Sequence, residues 1–131
     1  MNKLYNIAKY GLILIFSLTI VFHLLVLTGI IPFNIVWGGR LKDHSAMLKF
    51  ETVSILINVV FLLVVLIKTN YLKLKVPVAV ITSLLWMMVF MFTINTIGNL
   101  FATHSLETII FTPITAMLSA FSLVLILKKE S

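Results

Sequence analysis

The 131-residue chain contains no cysteine and only four acidic residues. Without cysteine the chain has no thiolate, no disulfide and no soft metal ligand, which excludes thiol chemistry. Charged residues make up 11% of the chain and hydrophobic residues 61%, whereas soluble domains contain about 25% charged and ~45–50% apolar residues. The composition therefore excludes a soluble enzyme, a disordered tail and a small disulfide-stabilised domain.

Glycine and proline are also scarce, and the chain contains four long apolar segments, at about residues 8–30, 47–67, 76–97 and 108–127. Each reaches or approaches the ~20 residues that a helix needs to cross about 30 Å of hydrocarbon. Continuous apolar segments favour helices, because in lipid every backbone amide needs an internal partner. We therefore expect an all-α polytopic membrane protein, in which residues 1–131 form a single antiparallel four-transmembrane-helix domain.

Several residues mark the ends or interruptions of these helices. Asp43 or Ser45 can cap the second helix, and Pro77 lies near the first position of the third. Pro113 lies within the fourth helix, where it lacks an amide proton and frees the carbonyl one turn earlier, so it predicts a kink. We expect Thr112 or a neighbouring hydroxyl to satisfy that carbonyl.

The basic residues divide unequally between the two sides of the membrane, seven against three. The larger group is Lys3, Lys9, Lys68, Lys73, Lys75, Lys128 and Lys129. The smaller group is Arg40, Lys42 and Lys49. The positive-inside rule then predicts a plasma (inner) membrane protein with both termini in the cytoplasm. Since topology explains the net charge of +6, membrane lipids are the expected partners and nucleic acid is not.

The strongest polar residues concentrate in the predicted outer half of the membrane. Glu51 shares one helical face with Asn58, and a charge at the bilayer centre costs ~2.5–3.5 kcal/mol. We therefore expect Glu51 to face the bundle and to hydrogen-bond a neighbour directly or through one water. Its candidate partners are His23, Arg40, Asn95 and Asn99. The contact is interpreted either as a structural link between helices or as a carboxylate that handles a ligand or protons.

Five hydroxyl residues recur at helical spacing along the fourth segment: Thr108, Thr112, Thr115, Ser119 and Ser122. Small hydroxyl residues let two helices approach closely, so the pattern predicts a packing contact with a neighbouring helix. Lining of a ligand path is the alternative interpretation. Leu125, near the end of the same segment, is expected to face lipid.

The first predicted outer loop contains an aromatic residue, Trp37, and the guanidinium of Arg40, which suits a carboxylate or a phosphate. No histidine pair has a metal-ligand spacing such as H-x₃-H, so neither a metal nor a cofactor is expected. The candidate ligand-binding residues are Glu51, His23, Asn58, Asn95, Asn99, Arg40 and Trp37.

Three functions are compatible with these residues. The first is a noncatalytic integral membrane protein whose outward-facing polar pocket or partner surface binds a lipid or another small amphipathic ligand. The second is a small transporter or channel subunit, which would need a homo-oligomer or a membrane-protein partner because four spans leave little room for a pathway. The third is a membrane-embedded enzyme that uses Glu51 and His23 as acid and base, although the chain lacks an evident nucleophile or metal constellation.

Overall fold

A computed structural model of the protein describes residues 2–32, 43–101 and 105–127, with backbone alone at residue 2 and at 105–108. Within these ranges the chain is helical and contains no strand. The helices are Asn2–Leu27 (α1), His44–Lys68 (α2), Val78–Leu100 (α3) and Ser105–Leu127 (α4). All four are long and apolar enough to cross a membrane. This confirms the prediction of four helices with the length and hydropathy to span a membrane, and it fits a multi-pass membrane protein.

The first helix differs most from its predicted limits of residues 8–30. It begins at Asn2, so the polar residues ahead of the apolar segment are helical too. It ends at Leu27 because Gly29 adopts a φ of 88°, a conformation that glycine reaches without a Cβ penalty. The Gly29 amide donates to the Val26 carbonyl at 3.1 Å. The helix therefore stops three residues before its predicted end.

Local hydrogen bonds define both ends of α2. The Asp43 side chain accepts a hydrogen bond from the Ala46 amide at 2.7 Å. Of the two predicted N-cap candidates, Asp43 is therefore the one that caps α2. At the other end Asn70 has a φ of 67°, and its amide donates to the Ile67 carbonyl at 3.2 Å. The Tyr71 amide donates to the Leu66 carbonyl at 3.0 Å. This pair of bonds is a Schellman motif with asparagine in the left-handed position.

The core is apolar and joins all four helices. Three phenylalanines meet near its middle, with Phe16 at 6.0 Å from Phe61 and 5.9 Å from Phe92 between ring centroids. The rings of Phe61 and Phe92 lie 5.7 Å apart. Packing is most extensive between α3 and α4 and much smaller between α2 and α3. The phenylalanines therefore form an apolar layer between α1, α2 and α3.

The contact between α3 and α4 uses the predicted hydroxyl residues. Thr96 Oγ1 donates to Thr115 Oγ1 at 2.9 Å, and Thr93 Oγ1 lies 2.8 Å from Ser119 Oγ. Ser122 is fully buried and donates to a carbonyl of its own helix. These contacts confirm the packing interpretation for Thr115 and Ser119, whereas the Thr108 side chain lies outside the described residues.

One expectation about α4 is wrong, and a second is wrong for one of its two alternatives. Leu125 is fully buried in the core, not exposed to lipid, because a leucine suits either environment and hydropathy does not separate them. Thr112 does not satisfy a freed carbonyl, since its buried hydroxyl has no hydrogen-bond partner in the described part of the chain. The hydroxyl of Thr115 donates to the Phe111 carbonyl at 2.9 Å, which is not the Ile109 carbonyl that Pro113 frees. The helix continues through Pro113.

Candidate binding site

Glu51 and His23 form a buried side-chain contact between α1 and α2. The distance from His23 Nδ1 to Glu51 Oε2 is 2.5 Å. Glu51 is fully buried, and the His23 side chain is 13% exposed. Glu51 lies in the second turn of α2, while His23 lies in the last two turns of α1. The expectation that Glu51 faces the bundle and contacts one of its candidate partners is confirmed for His23.

The energetic consequence of this contact follows from the burial of both groups. A carboxyl group removed from water is destabilising unless a hydrogen bond replaces its hydration. The imidazole supplies that bond, and hydrogen bonds to charged groups are shorter and stronger than neutral ones. The Phe22 ring lies edge-on to the imidazole, with centroids 5.6 Å apart, and limits its orientation. The pair therefore fixes the relative position of α1 and α2 at this level.

An open cavity of about 450 Å³ lies beside the end of α1 and the start of α2. Its lining residues are Val26, Leu27, Thr28, Gly29, Pro32, His44 and Met47. Val26 and Met47 are buried and belong to one apolar cluster. Met47 lies one helical turn before Glu51, and Val26 lies three residues after His23. Val26 and Met47 therefore lie between the cavity and the His23–Glu51 contact. We call this region the Glu51 end of the bundle.

The other predicted site residues are not all brought to Glu51. Asn58 Nδ2 donates at 2.7 Å to the carbonyl of Ser54 in its own helix. Asn95 is exposed on α3, and Asn99 is half-buried near the end of that helix. Arg40 and Trp37 lie outside the described residues. Among the seven candidates the structure joins His23 to Glu51 by a hydrogen bond, and ligand binding by any of the seven stays a prediction.

The cavity also contains residues that were not among the predicted site residues. Thr28 and His44 provide its polar lining, and the Thr28 hydroxyl donates to the Leu24 carbonyl at 3.0 Å. Met47 shares the helical face of Glu51, so the spacing contained a signal for its position. The sequence did not predict the position of Gly29 at the cavity. That position depends on a left-handed backbone angle, which glycine can adopt but need not adopt.

No protein-family model, curated protein or solved structure matches the chain. Within residues 2–32, 43–101 and 105–127, no group of three or more histidine and acidic side chains is arranged to hold a metal ion. The Glu51 end therefore contains a mostly apolar cavity with Thr28 and His44 on its wall. The hydrogen-bonded side chains of His23 and Glu51 lie beneath it.

Proposed function

We propose that the protein is a noncatalytic integral membrane protein that binds a lipid or another small amphipathic ligand at the Glu51 end. The observation that carries this proposal is the cavity above the His23–Glu51 contact. Its volume of about 450 Å³ falls in the range of ~300–1,000 Å³ typical of small-molecule sites. A mostly apolar wall with a few polar groups is also typical of such sites.

The contacts between helices support an antiparallel bundle. His23, late in α1, meets Glu51, early in α2, whereas Tyr10, early in α1, meets Tyr71, just after α2. The distribution of lysine and arginine supports a plasma (inner) membrane location with both termini in the cytoplasm and the Glu51 end outside. Reporter fusions at residues 70 and 131 should then read cytoplasmic, and fusions near residues 40 and 103 external. An external carboxyl terminus would contradict this topology.

Binding at one end is favoured over transport by the apolar layer of Phe16, Phe61 and Phe92. A transport path between α1, α2 and α3 would have to pass the three rings, which pack within 6.0 Å of one another. Binding is also favoured over acid–base catalysis, because Glu51 is fully buried and a general base must reach the proton that it removes.

The proposal is tested by the lipids that remain with the protein after extraction into native nanodiscs. Thr28→Trp adds a large side chain to the cavity wall, whereas Ile30→Trp is a matched control at a position that is 72% exposed and outside the lining. Mass spectrometry should find one amphipathic species enriched with the wild type and with Ile30→Trp, and several-fold less of it with Thr28→Trp. Equal retention in all three proteins would contradict a ligand in this cavity.

A further inference from the structure

The opposite end of the bundle carries a lysine surrounded by three tyrosines, which we call the tyrosine cluster: Tyr5, Lys9, Tyr10 and Tyr71. The Lys9 ammonium lies 4.7 Å from the ring centroid of Tyr10, 5.3 Å from that of Tyr71 and 5.7 Å from that of Tyr5. These distances are within the ~6 Å range of cation–π attraction. The cluster therefore fixes a positive charge between α1 and the segment that follows α2.

The two tyrosine hydroxyls of this cluster are joined in a defined direction. Tyr71 donates its hydroxyl proton to the Tyr10 oxygen at 3.2 Å, and this bond raises the pKa of the Tyr71 phenol above its ordinary value of 10.0. Because Tyr10 accepts this bond, its own O–H remains available as a donor. Both side chains are exposed. The cluster thus presents an ammonium and a phenol proton side by side.

This end of the bundle has a large excess of positive charge. Its lysines are Lys3, Lys9, Lys68, Lys73 and Lys75. Among the side chains that the structure describes, the acidic ones are Asp43 and Glu51, and both lie at the opposite end. Asp43 accepts from a backbone amide there and Glu51 contacts His23. Anionic lipid headgroups offer a counter-charge to such an excess at a membrane surface.

An exposed apolar stripe leads away from the cluster along α1. Leu14, Leu18 and Val21 follow Tyr10 at spacings of four, four and three residues, and all are exposed. Residues at this spacing share one face of a helix. An acyl chain that lies along this face would place its headgroup beside Tyr10 and Lys9. Free phosphate would gain nothing from this stripe.

We propose that the tyrosine cluster binds the headgroup phosphate of an anionic phospholipid, with Lys9 as the cation, Tyr10 as the hydroxyl donor and the α1 stripe as the acyl-chain contact. The site is distinct from the cavity at the Glu51 end and does not depend on it.

Native mass spectrometry of the protein in micelles that contain equal amounts of phosphatidylglycerol and phosphatidylcholine tests the proposal. The wild type should retain more phosphatidylglycerol. Lys9→Gln should lower the ratio about five-fold, which corresponds to the ~1 kcal/mol that one lysine contributes near an anionic surface. Lys49→Gln removes the same charge from an exposed position at the other end and should leave the ratio unchanged. Equal losses in the two variants, or no preference in the wild type, would overturn the proposal.

Two further measurements separate the parts of the site. Tyr10→Phe keeps the ring against Lys9 and removes only the hydroxyl, so the phosphatidylglycerol ratio should fall even if Lys9→Gln fails to fold. A wild-type ratio in Tyr10→Phe would overturn the role of the hydroxyl. Millimolar inorganic phosphate should not displace the bound lipid. Displacement would mean that phosphate alone is the ligand, and would overturn the lipid assignment.

Discussion

Two helix contacts in this protein use polar side chains in opposite ways. Where α1 meets α2, polarity is concentrated in one buried pair, His23 and Glu51, 2.5 Å apart. Where α3 meets α4, it is spread over small hydroxyls, such as Thr96 with Thr115. Thr96 and Thr115 also donate to carbonyls of their own helices. Each of these hydroxyls therefore also has a partner within its own helix, whereas the carboxyl group of Glu51 bonds across two helices inside an apolar contact.

This difference indicates that the two contacts respond differently to substitution. Loss of either His23 or Glu51 removes the hydrogen bond between their side chains, and loss of a buried hydrogen bond is destabilising in an apolar interior. Loss of one hydroxyl leaves its neighbours bonded to backbone carbonyls, so the cost is small. The following predictions test this distinction through the free energy of unfolding of purified protein, measured by reversible unfolding in mixed micelles.

The largest effect is expected for Glu51→Leu. This change should lower the free energy of unfolding by roughly 3 kcal/mol, the lower end of the cost of breaking a buried pair, because it removes the carboxyl group that the buried imidazole contacts. Glu51→Gln should lose less, since the amide oxygen still accepts a hydrogen bond. If Leu and Gln have equal effects, the hydrogen bond is not what stabilises this contact.

A smaller effect is expected for Ser119→Leu. A large side chain at the contact of Ser119 with Thr93 should force α3 and α4 apart and lower the free energy of unfolding by about 2 kcal/mol. Met117→Leu is the control, because Met117 is exposed on the same helix and should change little. Similar unfolding free energies for the two variants would show that the hydroxyl contact tolerates volume and is not closely packed.

A third helix contact, between Gly11 on α1 and Phe121 on α4, contains no polar side chain. A Cβ at Gly11 would lie 2.5 Å from a ring carbon of Phe121 on α4, whereas a Cβ at Gly98 would have no neighbour within 4 Å. Gly11→Ala should therefore destabilise by about 1 kcal/mol, as steric overlap exceeds the gain in helix propensity. Gly98→Ala should be neutral or stabilising. Stabilisation by both changes would mean that α1 and α4 are not in close contact at Gly11.

The smallest effect is expected for Ser119→Ala. This change removes a hydroxyl from the contact with Thr93, which retains its bond to the Val89 carbonyl at 2.7 Å. The loss should be ~0.6 kcal/mol, the average for hydrogen bonds between membrane helices. A loss as large as that of Glu51→Leu would erase the distinction between the two contacts.

The sequence was sufficient to predict that Glu51 contacts at least one of four candidate partners, because polarity is rare in this chain, but it did not single out His23. A carboxyl group at membrane depth needs a partner, and counting residues from the helix ends placed His23 at a similar level. The side of α4 that carries Leu125 was not predictable in this way, since lipid and protein core are both apolar. The carboxyl ends of α1 and α2 depend on the left-handed backbone angles of Gly29 and Asn70, which composition does not specify.

The central claim is that the contact between His23 and Glu51 holds α1 against α2 beneath the cavity. A double-mutant cycle measures it most directly, from the unfolding free energies of wild type, His23→Ala, Glu51→Ala and the double variant. A coupling energy of about 1.5–3 kcal/mol, as found for hydrogen bonds to charged groups, is the predicted result. Effects that add to within ~0.5 kcal/mol, as for independent sites, would contradict the account.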